Sequence, residues 1–297
     1  MTRPRQVLRN QFYLITRRCA NRWFLLRPDA ATNNAYAYCL AVAAQRCGME
    51  VVHTLAESNH HHTTIYDRDG RCPEFIMYFH SLVARSQNAL RGRWENFWAA
   101  EEPCVTRLLD RETVIAKVVY AVTNPVKDGL VARVHHWPGV NTYANLVSGR
   151  ALRATRPRHF FRDPGPLPDE IELRMTIPDE LGPADAFIAE VSAGVERVER
   201  EVAEVRRETG TPVRGRRRVL EQRWDEAPTT LAPRHNLRPR FAGRIEARVE
   251  ALGKYRSFLA AYRFALVVWR ARVASLFPRG TYWLSRFAGV ATEPVPL

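Results

Sequence analysis

The 297-residue chain is 46% hydrophobic, enough to fill the core of one large domain or two modest ones, and global disorder is excluded. Its 45 Lys+Arg against 31 Asp+Glu leave a formal charge of +14, which attracts polyanions through long-range fields and counterion release, so nucleic acid is the expected partner. An anionic membrane surface is the competing reading, but there is no run of about 18 apolar residues and the basic side chains are not gathered on one amphipathic helix, so no membrane role is expected.

The opening MTRPRQVLRN lacks an apolar stretch and a small-residue cleavage site, which does not indicate secretion. Cys19, Cys39, Cys47, Cys72 and Cys104 are odd in number and form no C-x-x-C pair. Reduced, structural thiols in a cytoplasmic protein are therefore expected. Residues 11–19 read as a strand, and residues 29–46 as a helix with Tyr36, Leu40 and Ala43 at helical spacing. Two strands, 49–55 and 61–66, follow around the polar connection Glu57-Ser58-Asn59. After the turn Asp67-Arg68-Asp69-Gly70 a helix is predicted over 73–90, carrying Phe75, Phe79, Leu82 and Leu90.

Segments 94–99 and 104–108 are compatible with short strands, and a helix over 111–123 is stopped by Pro125. The order β-α-β-β-α-β predicts an α+β fold, a ferredoxin-like antiparallel sheet with helices on one side, over residues 1–147. Residues 148–297 are expected to form a basic, mostly helical C-terminal region. Its first part, with Arg150, Arg153, Arg156, Arg158 and Arg162, reads as a linker or strand-tracking arm. The helix predicted over 183–208 carries Val191, Val195, Val198, Val202 and Val205 three and four apart, a coiled-coil-like stripe that, being short for an isolated coiled coil, is read as packing within the molecule ahead of a dimer zipper. A basic break at 214–218 precedes one or two helices over 240–276 with Tyr255, Leu259, Tyr262, Leu266 and Trp269 on one face.

The chemistry-bearing stretch is Ser58-Asn59-His60-His61-His62-Thr63. On a strand, residues two apart share a face, so His60 and His62 can share one divalent ion while His61 points away. A second element is Tyr120 and Asn124, four residues apart and hence one helical turn from each other. Lys117, three residues before Tyr120, lies on roughly the same face within reach of a phosphate. Each pair alone has an ordinary reading: a solvated histidine run, a core tyrosine, a helix-end asparagine before proline.

Together, Ser-Asn-His-x-His and Tyr-x-x-x-Asn-Pro-Val-x-x-Gly-Leu-Val, present as Tyr120 to Val131, resemble the REP-associated tyrosine transposases of the wider HUH single-strand endonucleases. The run Tyr13-Leu14-Ile15-Thr16-Arg17-Arg18 and the later Trp137-Pro138 with Tyr143 extend the likeness, which spans about residues 11–145. His61 stands where that family has a hydrophobic residue, Lys127 where it often has arginine, and residues 93–102 match its Trp- and Arg-containing strands loosely.

The resemblance implies an HUH endonuclease fold, with Tyr120 as nucleophile and His60, His62 and Asn124 as ligands of a divalent metal, Mg or Mn. It further implies a single-strand DNA endonuclease and strand transferase that leaves a 5′-phosphotyrosine link and a free 3′-hydroxyl. The expected substrate is single-stranded DNA, hairpin-containing, handled by a monomer or homodimer. Lys117, Lys127, Arg17, Arg18 and Trp137 are the expected DNA contacts, with Trp94, Trp98 and Tyr143 as further stacking candidates. Two rivals use the same residues: a catalytically idle, domesticated transposase that binds single-stranded or hairpin nucleic acid, and a metal hydrolase acting on a small substrate through a water.

Overall fold

A computed structural model describes residues 4–230 and 239–294 of the chain. In chain order the strands and helices are β1 (Gln11–Arg18), α1 (Ala30–Cys47), β2 (Glu50–Ala56), β3 (His60–Asp67), α2 (Cys72–Arg91), β4 (Cys104–Leu108) and α3 (Arg111–Val122). The short α4 (Asn124–Lys127) and α5 (Tyr143–Ser148) follow, then β5 (Leu152–Thr155), β6 (Glu170–Leu173), α6 (Ala184–Thr209), α7 (Arg216–Glu221), β7 (Phe241–Ala242), α8 (Ile245–Arg270) and α9 (Trp283–Ala288). The boundaries follow local chemistry. Asp29 and Asp110 accept hydrogen bonds from the backbone N–H groups of Thr32 and Thr113 and so cap α1 and α3, and Gly48 ends α1 in the left-handed region at φ 61°. Asp67 closes the turn into α2 by accepting from the N–H groups of Arg71 and Cys72, both at 2.8 Å.

The main sheet has the order β2-β3-β1-β4-β7. Its first four strands pair antiparallel, with Thr16 opposite His62 and Arg18 opposite His60. The fifth strand, β7, contributes two residues and runs parallel to β4, so the sheet is mixed rather than wholly antiparallel. Alternation along β1 feeds two cores: Tyr13 and Ile15 join side chains of α1 and α2, whereas Leu14 joins those of α3 and α6. Helices therefore cover both faces, not one. The second layer was hidden because α6 lies far along the chain from the strands it helps to cover, and an amphipathic stripe does not name its partner.

That second layer locks the helix bearing Tyr120. Phe187, Val191 and Val195 of α6 are buried with Val114, Val118 and Val119 of α3. A Cβ on Gly194 would stand 2.7 Å from Val119 Cγ2, so the glycine permits this close approach. Val198 and Val202 pack against the same cluster, while Val205 is exposed, so most of the valine stripe is spent inside the molecule.

Two further expectations change. Residues 94–99 form no strand; Trp98 makes an isolated bridge to Cys19. Residues 149–162 are not a linker, since β5 pairs antiparallel with β6 and the ribbon packs into the α1 core through Ala154, Ile171 and Leu173. Buried Arg156 is occupied by the carbonyls of Arg162 and Asp163, donating to them at 2.9 and 2.6 Å. All five cysteines are free thiols.

One consequence concerns acid stability. His53, at a bulge in β2, is fully buried, and its Nε2 lies 3.0 Å from Asn141 Oδ1. Burial pushes its pKa down from 6.5 to about 4, so the folded state holds it neutral. The unfolded chain takes up this proton first on acidification. The stability tied to His53 is therefore whole above pH 6.5 and is lost as the pH falls towards 4, a loss of about 3 kcal/mol from this residue. Urea midpoints are expected to drop over that window and to drop less in His53→Gln.

Candidate active site

The period-two geometry of β3 places His60 and His62 on the sheet face covered by α3, their ring centroids 4.9 Å apart. Helix α3 brings the ring of Tyr120 to 5.5 Å from that of His62, edge to face. The chain then kinks at Thr123 and restarts as α4, with Pro125 in its first turn. Pro125 thus opens a short helix besides ending a long one. The kink sets Asn124, buried, with its Nδ2 3.3 Å from His60 Nε2. His60, His62, Tyr120 and Asn124 come together.

The two imidazoles are held by neighbours. Thr16 Oγ1 lies 2.8 Å from His62 Nδ1, and Asn59 Oδ1 lies 2.8 Å from His60 Nδ1. Both contacts leave the Nε2 atoms directed inward, the arrangement in which a second group fixes the ring and frees the other nitrogen. His62 Nε2 is buried and has no hydrogen-bond partner among the described residues. An orphaned imidazole nitrogen facing a second imidazole is the donor set a divalent ion satisfies. Burial lowers the pKa of His60 to about 4 and that of His62 well below its ordinary value, so both are neutral and able to ligate at pH 7.

Among the described residues no three His, Cys, Asp or Glu side chains are grouped to hold an ion by themselves. A metal here would need the amide of Asn124 as its third donor. A half-turn of that amide, which exchanges two atoms of nearly equal size, sets Oδ1 beside His60 Nε2.

Glu57 was read from sequence as part of a hairpin connection, yet it is buried and its Oε1 accepts from Asn124 Nδ2 at 3.2 Å. Its Oε2 lies 3.8 Å from His60 Nδ1. Burial raises its pKa to about 8, with Asp128 adding to the rise. The available signal was its place three residues before His60; Thr16 gave none, because its contact depends on which strand lies beside β3.

Tyr120 is 42% exposed. Lys127 Nζ sits 3.9 Å from its ring centroid and Lys117 Nζ 5.6 Å away. Burial, followed by the charges of Asp128 and Glu57, pushes the phenol above its usual pKa. Burial also lowers that of Lys127. A groove of about 590 Å³ opens beside the tyrosine between α3 and α6, with Lys127 and Arg197 among its walls. Arg18 is exposed beside His60, and the basic run at 214–218 is docked nearby, the Arg214 and Gly215 N–H groups donating to the carbonyls of Gly129 and Leu130.

Other expected contacts lie elsewhere. Trp137 is buried and its indole N–H donates to the Ala56 carbonyl at 3.0 Å, so it cannot serve as a stacking platform. Trp98 is likewise buried, and Tyr143 is half-buried with its hydroxyl donating to Ser192. Trp94 alone of the four stacking candidates is widely exposed, at 94%. Arg17 stands on the opposite face of the sheet from the histidine pair. There its guanidinium lies 3.0 Å from His80 Nδ1, and His80 Nε2 lies 2.9 Å from His61 Nε2. His61 therefore points away from His60 and His62, as alternation along β3 requires.

No protein-family model and no curated protein matches this sequence. Among solved structures, the chain is similar to a REP-associated tyrosine transposase bound to a REP hairpin, at 16% identity and a TM-score of 0.43, over 50% of this chain and 86% of that one. It is also similar to a candidate transposase from Deinococcus radiodurans R1, at 17% identity and a TM-score of 0.29, over 35% of this chain and 84% of that one. Among the described residues no helix is long and apolar enough to cross a membrane.

Proposed function

We propose that the chain is a metal-dependent, single-strand DNA endonuclease and strand transferase of the transposase type, with Tyr120 as nucleophile. The observation that carries this reading is the meeting of Tyr120 with two neutral histidines, one holding an unpartnered Nε2, on one face of the sheet. The element order β-α-β-β-α-β with β3 between β1 and β2 supports the ferredoxin-like, HUH-type reading of the fold.

His60, His62 and Asn124 would hold Mg²⁺ or Mn²⁺, and such an ion would supply Lewis-acid polarisation of the scissile phosphate and charge neutralisation on its non-bridging oxygens. Nitrogen donors lean towards softer ions, and the amide oxygen offsets that preference. Tyr120 Oη attacks phosphorus; the O–P bond forms, the bond to the 3′-oxygen breaks, the phenolic proton passes to water and the 3′-oxygen takes one up. The product is a 5′-phosphotyrosine with a free 3′-hydroxyl, and attack by a 3′-hydroxyl reverses the step without ATP. Lys117 and Lys127 supply positive charge beside a phenol that its surroundings otherwise keep protonated. Arg18, Arg197 and the exposed run at 214–218 provide cations for the strand on either side.

Labelled single-stranded DNA carrying hairpins, incubated with the protein and Mn²⁺, should yield a covalent adduct that survives denaturation. Failure to form one across a hairpin library would leave the idle, binding-only protein as the better description. His62→Ala is expected to weaken Mn²⁺ binding, read by electron paramagnetic resonance of the free ion, by roughly 10- to 100-fold or more, since loss of even an outer partner of a ligand costs that much. Unchanged Mn²⁺ affinity would remove the histidine pair from the metal site.

A further inference from the structure

The sheet face opposite Tyr120 carries a second concave site. A cavity of about 610 Å³ lies between β1, β4, the N-terminal segment and the C-terminal helices, within the size range of small-ligand sites. Among the described residues four arginines line it, Arg5, Arg17, Arg107 and Arg240, against a single carboxylate, Glu102. Arg17 and Arg107 each have a buried Nε without a hydrogen-bond partner among the described residues. Guanidinium groups brought this far out of water are normally paired, yet among the described residues the Arg107 side chain makes no hydrogen bond or ion pair and that of Arg17 only the contact to His80, so both keep donors for an anion. Burial lowers the pKa of both, which is the cost a bound anion would offset.

The remaining wall is mostly apolar and includes aromatic rings. Tyr262, half-buried, and Trp283, exposed, line the same cavity, and the guanidinium of Arg240 lies 4.3 Å from the ring centroid of Tyr255. Arginines that fork onto phosphate oxygens beside rings that stack on flat heterocycles match a base joined to a phosphate. Sulfate or a simple carboxylate would leave the rings unused. Sequence reading gave Arg17 to the strand at the tyrosine; alternation along β1 sets it on the face of Tyr13, whose partner across the sheet is Arg107, and so at this cavity instead.

We propose that this cavity is a nucleotide-binding site separate from the tyrosine centre, with Arg17 and Arg107 taking a phosphate and the rings of Tyr262 and Trp283 taking the base. The nucleotide comes from one of two sources, a free nucleotide or an unpaired nucleotide of a bound strand. The proposal stands on the cavity alone and does not depend on Tyr120 being a nucleophile.

Calorimetric titration of the full chain with thymidine 5′-monophosphate, thymidine, inorganic phosphate and the 5′-phosphorylated dinucleotide pTpT tests it. The monophosphate is expected to bind at one site, about tenfold or more tighter than thymidine or phosphate alone, and Arg107→Gln should cost about tenfold, the worth of a charge-assisted hydrogen bond. Arg240→Gln, at the cavity wall, gives a second variant should Arg107→Gln fail to fold, and it should weaken binding in the same direction. Markedly tighter pTpT identifies a strand as the source, and equal affinity identifies a free nucleotide. The idea is overturned by the absence of binding at about 1 mM ligand, by phosphate binding as tightly as the nucleotide, or by folded arginine variants that bind unchanged.

Discussion

Tyr120→Phe is expected to abolish the covalent protein–DNA adduct and to lower strand cleavage by roughly 10⁴-fold or more, as loss of a nucleophile does elsewhere, while the protein stays folded and still retains DNA. The substitution deletes one oxygen and keeps the ring, so the contacts to His62 at 5.5 Å and to Lys127 at 3.9 Å survive. With the side chain 42% exposed, the cost in stability should be within about 0.5 kcal/mol. Cleavage gels, adduct gels and a filter-binding titration on the same preparation separate the outcomes. A hydrolase that used His60, His62 and a water would lose little, because its nucleophile would remain. Retained cleavage in Tyr120→Phe would therefore transfer the chemistry from the tyrosine to the metal site.

The parts of this site that were legible in the sequence are those set by local periodicity. His60 and His62 share a face because a strand repeats every two residues, and Tyr120 and Asn124 share one because a helix repeats every 3.6. Their meeting is not local. It depends on the register that sets Thr16 opposite His62 and on the kink at Thr123 that turns Asn124 inward. Glu57 was missed for the same reason: a carboxylate in a polar connection looks solvated until α4 covers it. Trp137 and Arg17 were misplaced because an indole or a guanidinium has one chemistry for two settings. An indole can stack on a base or donate into a core, and only the surrounding chain decides between them.

The C-terminal region is the second place where large effects are expected. Residues 1–147 and 148–297 read as a catalytic unit and an addition, yet Phe187 and Val191 of α6 are fully buried in one cluster with Val114, Val118 and Val122 of α3. Phe187→Ala should thus cost about 3–5 kcal/mol, the range for emptying an aromatic site in a packed core. Because the cavity would open behind the helix that carries Tyr120, adduct formation should fall along with stability. A chain ended after residue 147 would leave that face of α3 in water, and is expected to bind apolar dyes and to associate. Urea unfolding followed by both tryptophan fluorescence and circular dichroism checks the coupling. One coincident transition, shifted as a whole by Phe187→Ala, is the expected result. Two transitions, only one of them shifted, would mean that α6 can leave the sheet while the tyrosine centre stays intact, and the helical layer would then be a support the chemistry can do without.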